Sequence, residues 1–195
     1  MFRKQPIKIV TSLMTLGLLM LLTMQVNAYS YSEAGKEPLI EGREALTGAL
    51  LVNDTQAALS ALEGFKSELI ELEAEQSIKV YNRLKEAVKK NDRIAVIHLM
   101  NTVFAEEIKR RLNSAEQNIN DYQKSKILVA KSKRFLNTII VELDDDEADT
   151  ASQSITRCLK ALGNPGVFGA GAIPADLARF KSSKQALFSA LSAFE

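Results

Sequence analysis

Residues that commonly build catalytic and metal sites are scarce: the 195-residue chain contains one histidine, one cysteine and no tryptophan. Zinc sites of the usual kind need several histidine or cysteine ligands, and covalent haem attachment needs a C-x-x-C-H motif. A di-iron bundle needs Glu-x-x-His pairs, but Ala95 lies three residues before His98. No G-x-S-x-G nucleophile motif occurs either. The sequence therefore predicts no metal, no cofactor and no enzymatic activity.

Glycine and proline are also sparse, with nine and four residues, whereas leucine, alanine, glutamate and lysine are abundant. Such a composition favours α-helix throughout the chain. The single cysteine, Cys158, excludes an internal disulfide, and we predict that it is a small buried side chain. An intermolecular disulfide or a reactive thiol is the alternative.

The first 28 residues have the three parts of a signal peptide. Three basic residues precede an uncharged apolar run at 9–24, which is shorter than the ~20 residues that a membrane-spanning helix needs. Val26-Asn27-Ala28 then has small side chains at the positions that a signal peptidase reads. We predict cleavage after Ala28, a mature domain over 29–195, and a periplasmic or secreted location. An uncleaved membrane anchor is the alternative.

The charge of the mature chain is close to neutral. Cleavage removes Arg3, Lys4 and Lys8 and no acidic residue, which leaves a net charge of −2. A general nucleic-acid binder needs a basic excess to displace counterions from phosphates. Nucleic acid is therefore not a predicted partner. Without the signal segment, nothing in the sequence predicts insertion into a membrane.

Amphipathic patterns and breaks predict an all-α, single-domain bundle of about seven helices, built from successive antiparallel hairpins. Asn53-Asp54 and Asn91-Asp92 each end one helix and cap the next. The helix after Asp54 is predicted to be continuous, with an apolar stripe of Leu62, Phe65, Leu69 and Leu72. Shifting the chain by 38 residues aligns these two breaks and similar apolar residues around them. We interpret the alignment as two helix–turn–helix units of one design. Convergence of two unrelated hairpins on the same caps is the alternative.

Two later segments have more specific patterns. Residues 94–104 are apolar on nearly every side, which predicts the central helix of the bundle. In the following helix, Ser125 and Ser132 alternate with apolar residues at a seven-residue spacing. Small side chains at such positions permit close approach to an antiparallel neighbour. The acidic run that starts at Asp144 predicts the beginning of a further helix.

His98, Asn101 and Thr102 share one face of the predicted central helix, because they lie three and four residues apart. One hypothesis is a patch that contacts a small ligand or senses pH in the bundle interior. The other hypothesis, which we favour, is that His98 is a hydrogen-bonded core residue, since buried polar groups need partners in any protein.

Phe168, Gly169 and Gly171 lie in the least helical segment, NPGVFGAGAIPAD. The lysine and serine or threonine that complete a phosphate-binding loop are missing from it. We therefore predict an ordered structural loop anchored by Phe168, and a functional loop is the alternative. The glutamates at 68–75 and the basic residues at 109–111 and 124–134 are interpreted as solvated helix surface.

Two functional hypotheses follow. The first is an exported, non-enzymatic interaction or scaffold module that binds another protein outside the cytoplasm. The second is an extracytoplasmic bundle that binds or senses a small ligand at His98, Asn101 and Thr102. A continuous apolar groove on the surface would favour the first hypothesis, and a cavity beside the central helix would favour the second.

Overall fold

A computed structural model describes residues 37–167 and 169–194. In these residues the chain forms eight α-helices, two short 3-10 helices and no β-strand. The predicted signal peptide and the residues up to Lys36 lie outside the described part of the chain. The helices are α1 (Pro38–Leu51), α2 (Thr55–Gly64), α3 (Lys66–Gln76), α4 (Tyr81–Lys89), α5 (Arg93–Gln117), α6 (Tyr122–Ile139), α7 (Asp145–Ala161) and α8 (Leu177–Ala190), with 3-10 helices at Ile140–Glu142 and Leu191–Phe194.

The predicted all-α, single-domain bundle is confirmed. One helix more than expected is found, because a single helix predicted after Asp54 is divided at Phe65 into α2 and α3. Phe65 is buried at the joint. No helix among the described residues is both long enough and apolar enough to cross a membrane.

The two Asn-Asp turns have the same geometry. Asn53 and Asn91 both adopt left-handed backbone conformations, with φ of 59° and 52°, and asparagine tolerates this region better than most residues. Asp54 and Asp92 then cap α2 and α5 by accepting hydrogen bonds from backbone N–H groups three residues later, at 2.9 and 3.0 Å. The predicted caps are confirmed at both turns.

The hairpins α1–α2 and α4–α5 face each other in a four-helix bundle. In it α1 packs on α2, α2 on α4, α4 on α5, and α5 on α1. Nδ2 of Asn91 donates to Oδ1 of Asn53 at 2.7 Å, so the two turns touch. This closed arrangement of four helices differs from a solenoid, in which hairpins stack in an open row. Equivalent residues are buried together: Leu46 and Leu84, Leu50 and Val88, Ala58 and Val96, Leu62 and Met100.

Helix α5 is the central helix, as predicted, since it contacts α1, α3, α4, α6 and α8. Helix α5 packs most extensively against the antiparallel helix α6. Ser125 and Ser132 are fully buried in α6, and Oγ of Ser125 donates to the carbonyl oxygen of Ala115 at 3.1 Å. The predicted close approach through small side chains is therefore confirmed.

Helices α7 and α8 complete the domain. Asp144 and Glu147 form a reciprocal capping box at the start of α7, in agreement with the predicted helix start. Cys158 is buried between α7 and α8, where Sγ lies 3.9 Å from the carbonyl oxygen of Phe180. Burial raises the pKa of the thiol to about 12. The prediction that this cysteine is a small core residue is confirmed, and the thiolate is not formed near neutral pH.

Candidate functional site

The three polar residues predicted on one face of the central helix do not form one site. His98 is exposed. Asn101 is 4 % exposed and accepts a hydrogen bond from Nη2 of Arg43 at 3.3 Å. Oγ1 of Thr102 donates to the carbonyl oxygen of Phe194 at 2.8 Å. The prediction that His98 is a core residue is therefore wrong, and its predicted neighbours are occupied by structural contacts.

His98 lies near the N-terminal end of α5, on the side that lines the open space beside α4. The hydrogen bond from Ser125 to the carbonyl of Ala115 sets the two residues level with each other. Because α5 and α6 run antiparallel from there, Ile139 at the end of α6 lies about level with Asn101. The first two turns of α5 extend beyond this point, where Val96, Leu99 and Met100 are buried and His98 is exposed.

An open groove of about 720 Å³ lies between α4 and the first turns of α5. His98 is on the α5 wall with Ile94, whose side chain is 83 % exposed. Ala87 and Leu99 are buried and form an apolar floor. The lining residues are Arg83, Glu86, Ala87, Lys90, Asp92, Ile94, Ala95, His98 and Leu99. We call this surface the α4–α5 groove.

The turn before α5 determines the shape of this groove. Left-handed Asn91 reverses the chain, and the Asp92 cap starts α5 immediately afterwards. Ile94 is thereby placed in the first turn, where the α5 N–H groups still point toward the open end of the helix. Spacing of four residues then places Ile94 and His98 on the same wall.

The equivalent face of the first hairpin has small or uncharged side chains. The 38-residue offset pairs Arg83 with Ala45, Lys90 with Val52, Ile94 with Gln56 and His98 with Ser60. All four first-hairpin residues are exposed. The equivalent surfaces of the two hairpins therefore have a similar backbone arrangement but different side chains. The large apolar and charged residues on the second hairpin are therefore not required by the hairpin design itself.

A second polar feature lies at the N-terminal end of α1. Glu37 and Glu107 are buried, with 2 % and 1 % of their surface exposed. Nη2 of Arg111 lies 2.7 Å from Oε2 of Glu37, and Nζ of Lys131 lies 3.1 Å from Oε1 of the same carboxylate. Nε of Arg110 lies 2.8 Å from Oε2 of Glu107. We call these five residues the buried charge cluster.

The buried charge cluster is a structural feature, because each carboxylate is already matched with cations from the same domain. Glu107 also accepts from Nε of Arg111, and the hydrogen bonds that Arg110 donates to Glu107 raise the pKa of Arg110. The interpretation of Arg110 and Arg111 as simple solvated surface is wrong. The i, i+3 and i, i+4 spacing from Glu107 was a sequence signal for these pairs, whereas nothing local marked Glu37 as a partner.

The glycine-rich loop after α7 is ordered by its backbone. Asn164 and Ile173 exchange two backbone hydrogen bonds at 2.8 and 2.7 Å. Gly169 and Gly171 have φ of 83° and 71°, a conformation that L-residues rarely adopt. Space is open around both glycines, so their conformation is what requires glycine. Phe168 lies outside the described residues, so its predicted role as the aromatic anchor of the loop stays a prediction.

Among the described residues, no group of three or more histidine, cysteine, aspartate or glutamate side chains is arranged to hold a metal ion. Comparison with protein-family models, curated proteins and solved structures finds no match to the chain. The α4–α5 groove is therefore interpreted from its own residues.

Proposed function

We propose that the protein is an exported, non-enzymatic interaction module whose α4–α5 groove binds a segment of another protein outside the cytoplasm. The supporting observation is Ile94, which is 83 % exposed on the wall of an open groove. Covering an isoleucine side chain completely is worth about 1.5–3 kcal/mol. The equivalent residue of the first hairpin, Gln56, offers no such gain.

The alternative of a small-ligand site at His98, Asn101 and Thr102 has less support. Small-molecule pockets generally enclose roughly 70–90 % of the ligand surface, but the α4–α5 groove is open along its length. Asn101 and Thr102 are engaged with Arg43 and Phe194 and do not line it. A protein segment, which needs contact on one side only, fits the open shape better.

We include no catalytic step in this proposal. His98 is exposed on the wall of the groove. Cys158 is buried and protonated. A hydrolase of the nucleophile–histidine type needs these groups within hydrogen-bonding reach of each other.

A photo-crosslinking side chain at position 94 is expected to capture a partner protein in the exported fraction of the native host. The same probe at position 56, the equivalent exposed position of the first hairpin, is the matched control. We expect a protein adduct from position 94 and little from position 56. Equal capture at the two positions, or none at 94, would contradict the groove as the binding surface.

Export is tested separately by the mass of the protein recovered from its native host. The signal-peptide pattern before Tyr29 predicts that the intact mass corresponds to a chain starting at Tyr29. Recovery of the full-length chain from the cytoplasm would show that the segment is not a signal peptide.

A further inference from the structure

The second hairpin is locally basic, although the whole chain is nearly neutral. Residues 81–93 carry five basic and two acidic side chains, whereas the equivalent residues 43–55 carry one basic and two acidic side chains. This difference lies on the helix and turn that form one wall of the α4–α5 groove. Of the five basic residues, Arg83 and Lys90 line the groove.

The acidic residues of the groove are already engaged. Oε1 of Glu86 lies 2.7 Å from Nζ of Lys89, and this hydrogen bond holds the pKa of Glu86 below its usual value. Oδ1 of Asp92 accepts the hydrogen bond from the backbone N–H of Ala95 that caps α5. Both carboxylates are hydrogen-bonded, although both remain charged and exposed.

The basic residues of the groove are available. Arg83 and Lys90 are both exposed, and neither forms a salt bridge within the described part of the chain. Lys90 contributes only a longer-range attraction to Glu86. Together with the Glu86–Lys89 pair and the charged Asp92, the available cations Arg83 and Lys90 leave the groove with one net positive charge.

The spacing of these cations matches a short protein segment. Arg83, Ala87 and Lys90 lie on one face of α4 at steps of four and three residues, with about 10 Å between the first and the last. Buried Ala87 and the Lys89-paired Glu86 lie between the two cations, and Ile94 lies on the facing wall. A segment of two helical turns could place a large apolar side chain against Ile94 and a carboxylate near each cation.

Resting on the proposed function, we infer that the partner segment is acidic and amphipathic, with one large apolar side chain between carboxylates that meet Arg83 and Lys90. An anionic membrane surface is negatively charged, as an acidic protein segment is, but it lacks a shape that could fill the groove. A bilayer surface would contact the rims of a concave groove and leave its apolar floor uncovered. A protein segment can fill it, and the observations favour this occupant.

The test uses the full chain with the photo-crosslinker at position 94, in the native host, and maps the captured segment by mass spectrometry. The groove variant is Arg83→Ala with Lys90→Val, which introduces the residues of the first hairpin at both sites. The control variant is Lys133→Ala with Arg134→Ala, two exposed cations on α6. Both double variants change the net charge equally. Because all four residues are exposed, we expect the melting temperatures to stay near that of the parent chain.

We expect the captured segment to contain an excess of aspartate and glutamate. The groove variant should lower the adduct yield about tenfold, or ~1.4 kcal/mol, while the control variant leaves it unchanged. Raising the salt concentration should weaken capture by the parent chain and have less effect on the groove variant.

The outcomes separate this inference from the proposed function. Absence of any adduct at position 94 contradicts both. An adduct whose captured segment is neutral or basic, or whose yield is unaffected by the groove variant, overturns the acidic segment and leaves the groove as a binding surface. Capture of a second copy of this chain through a non-acidic segment overturns it as well. So does charge-dependent binding to phosphatidylglycerol vesicles without a protein adduct.

Discussion

Replacing Glu107 with glutamine is expected to lower the free energy of unfolding by about 3 kcal/mol, because it removes one charge from a buried ion-pair network. Glu107 is 1 % exposed. Its carboxylate accepts from Nε and Nη2 of Arg110 at 2.8 and 2.9 Å and from Nε of Arg111. Glutamine has nearly the same shape but only one acceptor oxygen and no charge. Urea denaturation followed by circular dichroism measures the loss.

Glu86→Gln is the matched control for this prediction. Glu86 also pairs with a cation three residues later, but the side chains of Glu86 and Lys89 are 59 % and 49 % exposed. Water and salt screen such a pair, so its loss should change the unfolding midpoint far less. Equal destabilisation by the two variants would mean that burial does not set the contribution of Glu107.

The buried charge cluster also explains how the start of the domain is held in place. Glu37 precedes the first turn of α1, yet it is bound by Arg111 from α5 and Lys131 from α6. The guanidinium of Arg111 in turn stacks on the ring of Phe135, with 4.9 Å between Cζ and the ring centroid. One carboxylate therefore joins three helices at the point where the chain enters the described domain.

Local features of this fold could be predicted from the sequence. The Asp54, Asp92 and Asp144 caps all accept the expected backbone hydrogen bonds, because capping depends on residues only three positions apart. The burial of Ser125 and Ser132 was predictable for a similar reason, since a seven-residue spacing returns to the same helix face.

The environment of polar residues on the central helix could not be predicted in this way. Helical periodicity places His98 and Asn101 near one face, but it does not say which distant helix covers each of them. Asn101 is buried and bonded to Arg43 of α1, whereas His98 is exposed on the α4–α5 groove. The buried charge cluster was missed for the same physical reason: the partners Glu37 and Arg111 are 74 residues apart.

The division of the second predicted helix at Phe65 has a similar origin in distant contacts. Phe65 is 1 % exposed, and its ring lies against Gly42 of α1. No helix-breaking pattern marks this position strongly, since glycine at 64 is tolerated at modest cost inside helices. The joint between α2 and α3 is therefore fixed by packing against α1, and Gly42 is the residue that makes room for it.

Two glycines of α1 consequently should respond in opposite directions to the same substitution. At Gly48 an added Cβ meets nothing within 4 Å. Gly48→Ala should therefore stabilise the protein by about 0.5–1 kcal/mol through helix propensity alone. At Gly42 an added Cβ would lie 2.7 Å from both Cγ and Cε1 of Phe65 and closer still to Cδ1.

Gly42→Ala is expected to destabilise the protein by about 1 kcal/mol, because the gain in helix propensity is outweighed by overpacking that typically costs 1–3 kcal/mol. The Phe65 ring is enclosed and cannot move aside without shifting the joint between α2 and α3. Urea denaturation of the two variants, measured side by side, removes any general effect of alanine in α1. Phe65→Leu in the Gly42→Ala background should recover part of the loss, since a smaller side chain leaves room for the methyl group. Stabilisation by both glycine substitutions would mean that Phe65 does not pack on α1 at Gly42.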